Sequence, residues 1–252
     1  MRLLPQPMLT WGLLLALAAW GRAAEPNGEH LRGTAETVNP AAAAARAAVP
    51  AIAELLRDRD RYVRITAAHT LERIGPAAVP SLAQLLNDPE ASVRELAANA
   101  LRQIGSDVKA DAKAAVPALV ERLRDPDPAV REAATLALRD IGPEAKAAIP
   151  AMAELLHDSD RYVRITAAHA LERMGPEAVP IVAKILWDGE APVRELAARV
   201  LRQFGADAKA AIPALVERLR DPDPAVRDAA ALALRDIGLE TKPSGLQIGE
   251  AQ

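Results

Sequence analysis

The 252-residue sequence contains no cysteine and very few aromatic residues. The lack of cysteine excludes disulfides, a thiolate nucleophile, Cys-bound zinc and a lipid-modified cysteine. Only three tryptophans, two tyrosines and one phenylalanine occur, although 50% of the residues are hydrophobic. Ala, Leu, Val and Ile supply nearly all of this apolar surface, and Ala favours helices whose axes approach closely. The composition therefore predicts an all-α protein.

The chain also lacks an excess of basic residues, and its formal net charge is −3 at pH 7. A protein that binds nucleic acid through its phosphates needs a basic face. We therefore expect no nucleic-acid partner.

Short catalytic and ligand-binding sequence motifs are missing as well, including phosphate loops, dinucleotide-binding turns and the serine nucleophile elbow. The histidines are His30, His69, His157 and His169, and none has a second histidine three or four residues away. A helical metal site usually needs such a pair on one face. The acidic residues recur at structural positions, whereas catalysis normally uses a unique set of side chains. We expect no catalytic residue, no metal and no cofactor, and predict that the chain is not an enzyme.

Residues 1–24 have the layout of a secretory signal peptide. The positive charge of Arg2 precedes an apolar run over residues 9–20, which small residues follow. This run is too short to span a bilayer comfortably, because a spanning helix needs roughly 20 apolar residues. Cleavage after Ala23 and after Ala24 both stay open, as does an apolar helix packed on the rest of the chain. The layout predicts an exported protein, periplasmic or secreted, without a transmembrane segment in the mature chain.

Between residues 41 and 238 one phrase recurs six times: Val-Arg, an Ala-rich stretch with Leu, and a Gly twelve residues after the Val. Successive arginines are separated by 30, 37, 33, 30 and 33 residues, which is typical of helical-hairpin repeats. The segment 58–76 reappears almost unchanged as 158–176, which indicates that a block of three repeats was duplicated. The pattern predicts six hairpins, approximately at residues 41–75, 76–105, 106–142, 143–175, 176–205 and 206–238.

The segments on either side of the repeats lack the repeated pattern. Residues 25–40 contain Pro26, Gly28 and Pro40 without a sustained apolar period, so they are predicted to form a flexible linker. Residues 239–252 are expected to be a C-terminal tail.

The third repeat shows the helix signals most clearly. Asp127 and Pro128 are residue types preferred at the N-cap and the first position of a helix, and Gly142 can take the positive φ that often ends one. A proline also recurs near the start of every first helix, where its missing N–H costs least. The second helix carries apolar residues at spacings of four, four and three, one stripe of a 3.6-residue helix: Val130, Ala134, Leu138 and Ile141.

The phrase D-P-D-P-A-V-R-x-A-A-x-L-A-L-R-D-I-G of the third and sixth repeats resembles the HEAT-like repeat family first associated with phycobilisome lyases. The resemblance covers about residues 41–238 and implies a right-handed α-α superhelix, a HEAT-like solenoid of six helical hairpins. In such repeats an Asp six residues before the Arg contributes to a hydrogen-bonded ladder between neighbouring hairpins. The resemblance implies this structural role for Asp58 with Arg64, Asp88 with Arg94, Asp125 with Arg131, Asp158 with Arg164, Asp188 with Arg194, and Asp221 with Arg227.

Enzymes with HEAT-like repeats provide the alternative function. The iron-binding His-Glu dipeptides of deoxyhypusine hydroxylases do not occur in this sequence, and its composition does not suit the basic, aromatic-lined groove of HEAT-like DNA glycosylases. Bilin lyases are the nearest enzymes by motif, but they act inside the cell, and the signal segment argues against that location. A lyase- or hydrolase-like enzyme that uses the solenoid groove as a substrate cradle stays open as the alternative.

In HEAT-type solenoids the second helix of each hairpin lines the concave face. Its outward positions lie two, six and nine residues after the repeated Val. In this sequence they carry six acidic residues and five arginines, a mixed surface that suits a protein or peptide better than nucleic acid or an anionic membrane. We therefore predict an exported scaffold that mediates protein–protein interaction through its concave helix face.

Candidate partner-binding residues form two copies of one patch, together with a single tryptophan. Repeats one and four place a Tyr, an Ile, a His and a Glu on one helix face. The alternative that stays open is a neutral surface copied by duplication. Trp187 stands at the polar end of a first helix, where it either contacts a partner or packs against the next hairpin. The patch residues are Tyr62, Ile65, His69 and Glu72 with Tyr162, Ile165, His169 and Glu172.

Overall fold

The structure is a computed structural model that describes residues 40–107 and 112–238. The predicted signal peptide, the predicted linker up to residue 39 and the predicted C-terminal tail lie outside the described residues. Every regular element within the described residues is helical, and the prediction of an all-α fold built from helical repeats is confirmed.

Twelve α-helices lie in the described part of the chain, and they pair in chain order into six hairpins. Apart from α1, the first helix of each hairpin has only six or seven residues. The hairpins are α1 (Pro40–Glu54) with α2 (Arg61–Ile74), α3 (Val79–Leu85) with α4 (Ala91–Asp107), α5 (Val116–Arg122) with α6 (Pro128–Ile141), α7 (Ile149–Glu154) with α8 (Arg161–Arg173), α9 (Val179–Ile185) with α10 (Ala191–Gln203), and α11 (Ile212–Arg218) with α12 (Pro224–Ile237).

The predicted caps of the third repeat are confirmed. The Asp127 carboxylate accepts a hydrogen bond of 2.8 Å from the backbone N–H of Ala129, and Pro128 occupies the first turn of α6. Gly142 ends the helix at φ 74°. Such a side-chain cap satisfies one of the backbone donors that have no partner inside the helix. Equivalent caps begin α2, α8 and α12 at Asp60, Asp160 and Asp223.

Proline marks the start of the first helix in five hairpins, but not in the first hairpin. There α1 already begins at Pro40, the last residue of the predicted linker, and Pro50 lies inside the helix. The other five lie at the first or second helical position, where no intrahelical N–H is required: Pro80, Pro117, Pro150, Pro180 and Pro213.

Gly105 differs from the glycines that end helices. It lies inside α4, which continues to Asp107. A Cβ atom at Gly105 would lie 2.9 Å from Cγ1 of Ile141, which belongs to α6. This glycine therefore permits the close approach of two second helices.

The described residues divide into two compact units, residues 40–107 with 112–144, and residues 145–238. The described helices of the first unit are α1 to α6, and those of the second are α7 to α12. Each unit buries a core of Ala, Leu, Val and Ile. The predicted stripe of α6 is fully buried, with 0% exposure at Val130, Ala134, Leu138 and Ile141. Burial of a Leu side chain contributes about 1.5–3 kcal/mol, so this stripe alone stabilises its hairpin substantially.

Candidate functional site

A buried arginine joins the second and third hairpins. Arg94 donates from Nε and Nη2 to the two carboxylate oxygens of Asp125, each at 2.7 Å. Its Nη1 donates to the carbonyl oxygens of Asp88 and Pro89, at 2.8 and 2.9 Å. Because both side chains are buried, this bidentate pair fixes the second hairpin against the third.

The second unit repeats this link between its fifth and sixth hairpins. Arg194 donates from Nε and Nη2 to the carboxylate of Asp221, at 2.9 and 2.7 Å. Its Nη1 contacts the carbonyl oxygens of Asp188 and Gly189. The planar guanidinium serves the carboxylate and the loop carbonyls together, which lysine could not do.

Within a single hairpin the predicted Asp and Arg are in contact, but the Arg binds the backbone carbonyl of the Asp and not its carboxylate. The arginine Nη1 donates to the backbone carbonyl of the Asp six residues earlier, while the Asp Oδ1 accepts the backbone N–H two residues further on. The carboxylate thus organises its own loop, and in Asp88, Asp125, Asp188 and Asp221 it also contacts a side chain of the preceding hairpin. The Nη1–carbonyl distances are 2.9 Å for Arg64–Asp58, 2.8 Å for Arg94–Asp88, 2.9 Å for Arg131–Asp125, 2.6 Å for Arg164–Asp158, 2.9 Å for Arg194–Asp188 and 2.7 Å for Arg227–Asp221.

The first hairpin of each unit uses a different residue to reach the next one. Arg57 donates from Nε to the Asp88 carboxylate at 2.6 Å. At the matching position of the second unit, His157 Nε2 lies 2.7 Å from Oδ2 of Asp188. Both residues come from the end of the first helix. The ladder therefore alternates between two kinds of link along each unit, which the spacing of the repeats did not predict.

The links set the acidity of the carboxylates they contain. Hydrogen bonds from Arg194 lower the pKa of Asp221, although burial opposes them. The pKa of Asp188 is lowered by the backbone N–H of Glu190 and then by His157. Both carboxylates are therefore held in the charged form that the links require.

In the first unit, a groove of about 350 Å³ lies between the second helices α2 and α4. His69 Nδ1 lies 2.9 Å from Oε2 of Glu72 in this groove. The Nε atom of Arg102 is buried and has no hydrogen-bond partner among the described residues. The groove thus combines apolar, acidic and basic groups. The predicted outward positions that line it are Ile65, His69, Glu72, Asn99 and Arg102.

A groove of about 410 Å³ lies between the second helices α10 and α12 of the second unit. Here Arg199 pairs with Glu195 at 2.5 Å, and Arg202 pairs with Asp236. Arg202 occupies the repeat position that matches Arg102. Its Nε donates to Asp236, whereas the Nε of Arg102 has no partner among the described residues. The predicted outward positions that line this groove are Glu195, Arg199, Arg202, Asp228 and Leu232.

Within each of the two predicted patches, the structure brings only some of the residues together. Tyr62 and Tyr162 are 72% and 69% exposed in the first turns of α2 and α8, and Tyr62 is not among the residues that line the α2–α4 groove. Ile165 is 38% exposed, whereas Ile65 is half-buried. His69 and His169 are both exposed. Each tyrosine therefore extends the patch toward the start of its helix.

Partial burial raises the pKa of Glu172, an effect that nearby His169 opposes. Burial likewise raises the pKa of Glu95, and the negative charges of Asp127 and Glu132 add to the effect. A carboxylate that is poorly solvated and close to other acids favours a cationic or donor group from outside. The second-helix face thus holds acids whose charge is only partly compensated.

The sequence left two alternatives for Trp187, an exposed partner contact or packing against the next hairpin, and its side chain has features of both. Its side chain is 57% exposed, yet the guanidinium of Arg218 in the next hairpin lies 4.3 Å from the centre of its ring. Arg218 Nη1 also lies 3.2 Å from Oδ2 of Asp221. One part of the ring therefore contacts the neighbouring hairpin, and the rest faces solvent.

Sequence reasoning missed a groove between first helices in the second unit. It measures about 580 Å³ and lies between α7 and α9. The signal was present, because Ile181 and Ile185 replace Ser81 and Leu85 of the duplicated copy. The sequence prediction placed the partner-binding residues on the second helices and at Trp187, so this groove was not predicted.

A family model for HEAT repeats matches residues 48–115, 79–172, 116–202 and 179–248. The chain belongs to the HEAT repeat family. No curated protein sequence matches it.

Three solved structures illustrate the similarity of this HEAT protein to known folds. One engineered protein is 26% identical, with 75% of this chain and 96% of that chain covered and a TM-score of 0.51. Another is also 26% identical, with 76% and 58% covered and a TM-score of 0.50, so the HEAT chain spans less than two thirds of it. The complex of CpcE and CpcF of phycocyanin lyase from Nostoc sp. PCC7120 is 23% identical, with 83% and 97% covered and a TM-score of 0.41. At this level the likeness concerns the fold alone.

Within residues 40–107 and 112–238, no three His, Asp or Glu side chains come together as a set that could hold a metal ion. Over the same residues, no helix has the length and apolar character needed to cross a membrane.

Proposed function

We propose that this HEAT repeat protein is a non-enzymatic scaffold that binds a protein or peptide along its second helices. The observation that carries the proposal is the α2–α4 groove of about 350 Å³, which Ile65, His69, Glu72 and Arg102 line with apolar, acidic and basic groups. A protein or peptide segment that enters this groove would contact all three kinds of group.

The composition of both grooves supports the same proposal. Leu232 is 37% exposed beside Arg199 and Asp228, and Ile65 lies beside His69 and Glu72. Interfaces commonly surround apolar contacts with a polar rim of mixed charge. Such a surface fits a folded protein or an extended peptide better than a phosphate backbone.

We also propose that the protein is exported, on the basis of the layout of residues 1–24. Sequencing the N-terminus of the protein recovered from its own cells tests this proposal. We expect the mature chain to begin at Ala24 or Glu25 outside the cytoplasm. Recovery of the full-length chain in the cytoplasm alone contradicts export.

Site-specific photocrosslinking tests the binding proposal. A photoreactive amino acid is placed at Asn99 in one groove and at Leu232 in the other, and the protein is expressed in its own cells. We expect both positions to give a discrete crosslinked protein, because both residues line a groove between second helices.

The matched control places the same amino acid at Glu121 and Glu217, which are exposed on first helices. These positions should give no crosslink to that protein. Equal crosslinking at all four positions, or none at Asn99 and Leu232, contradicts binding along the second helices.

A further inference from the structure

The α7–α9 groove of the second unit has the size of a binding site. Its volume of about 580 Å³ falls within the range of ligand pockets. Pro150, Ala153, Glu154 and His157 form one wall, at the spacing of a single helix face. Ile181, Lys184 and Ile185 form the other wall on α9.

The duplicated copy in the first unit shows what opens this groove. The corresponding space between α1 and α3 measures only about 100 Å³. There Arg57 donates to Glu54 at 2.5 Å and to Asp88 at 2.6 Å, so its guanidinium lies across the space.

Four matched replacements distinguish the groove of the second unit, one of them the conservative Ile185 for Leu85. His157 stands in place of Arg57, and its shorter ring is held by Asp188 at 2.7 Å. Ile181 replaces Ser81, and Lys184 replaces Gln84. The copy thus loses the side chain that fills the space, and gains an apolar wall and a cation. A neutral surface copied without change would not show this concerted difference.

The charges on the two walls are unequal. Lys184 is exposed on α9, and no carboxylate of the described residues pairs with it. Glu154 is exposed on the opposite wall, on α7. An incoming carboxylate is therefore favoured beside Lys184 on α9. At the end of the groove, the side chains of Asp188 and His157 already pair with each other.

We propose that this groove binds a peptide segment with two neighbouring apolar side chains and an acidic side chain next to them. The apolar pair lies against Ile181, Ile185 and Ala153, and the acidic group meets Lys184. This surface lies on first helices and is separate from the second-helix face of the proposed function. One protein could therefore hold two different partners.

Selection from a phage-displayed library of random 12-residue peptides tests this proposal, with the chain from residue 25 onward as bait. We expect enriched peptides to share an acidic residue beside two apolar ones. Synthetic copies should bind at least tenfold more weakly to a variant that combines His157→Arg with Ile181→Ser. Both replacements restore residues that the first unit already carries, so the fold should tolerate them.

Lys184→Gln, which copies Gln84, isolates the charge contribution. It should weaken an acidic peptide severalfold but leave the same peptide with Asn or Gln in place of the acid unchanged. The reciprocal variant, with Arg57→His, Ser81→Ile and Gln84→Lys, should create a second binding site. Stoichiometry by isothermal titration calorimetry should then rise from one peptide per chain to two.

The possible contrary results are distinct. The absence of a shared motif, or binding unaffected by the His157→Arg, Ile181→Ser variant, overturns the proposal. Concentration-dependent dimers of the chain that the same variant disperses show that a second copy occupies the groove instead. Loss of peptide binding in a Leu232→Ala variant assigns the peptide to the second-helix face. None of these results depends on the photocrosslinking outcome, so the two proposals fail separately.

Discussion

Arg94 and Asp125 join the second hairpin to the third through two parallel hydrogen bonds of 2.7 Å between buried groups. The same arginine holds two loop carbonyls of its own hairpin with Nη1. It therefore links the end of one repeat to the beginning of the next. Arg194 and Asp221 reproduce the arrangement in the second unit.

Replacing Arg94 by Ala should lower the free energy of unfolding by about 3 kcal/mol, because it leaves a buried carboxylate without its main partner. Urea denaturation followed by circular dichroism measures the change. Arg122, whose Nη1 lies 3.7 Å from Oδ2 of Asp125, limits the loss but cannot replace the bidentate contact. A lysine at position 94 should recover only part of the stability.

The matched control is Arg199→Ala, which removes an exposed i,i+4 pair with Glu195 and should cost under about 0.5 kcal/mol. The double variant Arg94→Met, Asp125→Leu should be less damaged than Arg94→Ala, since it leaves no unpaired charge. Equal losses for Arg94→Ala and Arg199→Ala would mean that the buried link adds no stability.

Stability should fall in acid as the interhairpin carboxylates are protonated. Hydrogen bonds from Arg194 hold the pKa of Asp221 below that of the unfolded chain, which is about 3.9. The charged carboxylate therefore adds stability above about pH 4, and this contribution disappears as the pH falls through the lower folded-state pKa. Asp221→Asn lacks the contribution at every pH.

Urea midpoints of wild type and Asp221→Asn between pH 6 and pH 2 measure this effect. The difference between the two proteins should be largest at pH 6 and should shrink steadily below about pH 4. A difference that widens on acidification would show that the link does not favour the charged carboxylate.

Sequence reasoning predicted the repeated elements well because their signals are local. Asp127, Pro128 and Gly142 act within one helix, and period and residue type suffice to place them. The partner of Asp125 could not be found in this way, because Arg94 reaches it only after two hairpins stack. The unpaired Nε of Arg102 likewise depends on how neighbouring helices bury it.

Gly105 and Gly75 occupy the same place in the repeat but should respond to Ala for different reasons. At Gly105 the new Cβ would meet Ile141 Cγ1 at 2.9 Å, and crowding a packed core costs about 1–3 kcal/mol. A Cβ added at Gly75 would meet no atom of the described residues within 4 Å beyond its chain neighbours, but φ is 73°. Strain from that backbone conformation costs on the order of 1–3 kcal/mol.

An Ile141→Ala background separates the two causes by thermal or urea denaturation. There Gly105→Ala should become neutral or stabilising, because the clash is gone and Ala favours the helix by up to about 1 kcal/mol. Gly75→Ala should be equally destabilising in both backgrounds. Persistence of the full Gly105→Ala loss would assign that loss to backbone conformation instead of crowding.

Trp187 should behave as an accessible side chain in the isolated protein. In a chain that begins at residue 25 it is the sole tryptophan, so its fluorescence is unambiguous. With 57% exposure, its emission should be close to that of free tryptophan, and acrylamide should quench it readily. Trp187→Ala should change the free energy of unfolding by under about 1 kcal/mol, the size of an exposed cation–π contact with Arg218. A strongly blue-shifted emission would exclude it as an exposed contact.

Alanine at Tyr62, His69, Tyr162 and His169 together should weaken partner binding at least tenfold while leaving the fold intact. Both tyrosines are about 70% exposed, and exposed positions usually change stability by under about 0.5 kcal/mol each. Large exposed rings are, in contrast, enriched among the residues that dominate binding. The partner identified by photocrosslinking is titrated against wild type and the quadruple variant, and circular dichroism verifies folding.

The control for this quadruple variant changes Gln84 and Glu217 to Ala, because both are exposed on first helices. It should retain the affinity of the wild type. If the folded quadruple variant binds equally well, the tyrosine and histidine patches are neutral copies left by duplication. The binding energy would then have to come from the other groove residues, such as Asn99 in the first unit and Leu232 with its exposed side chain in the second.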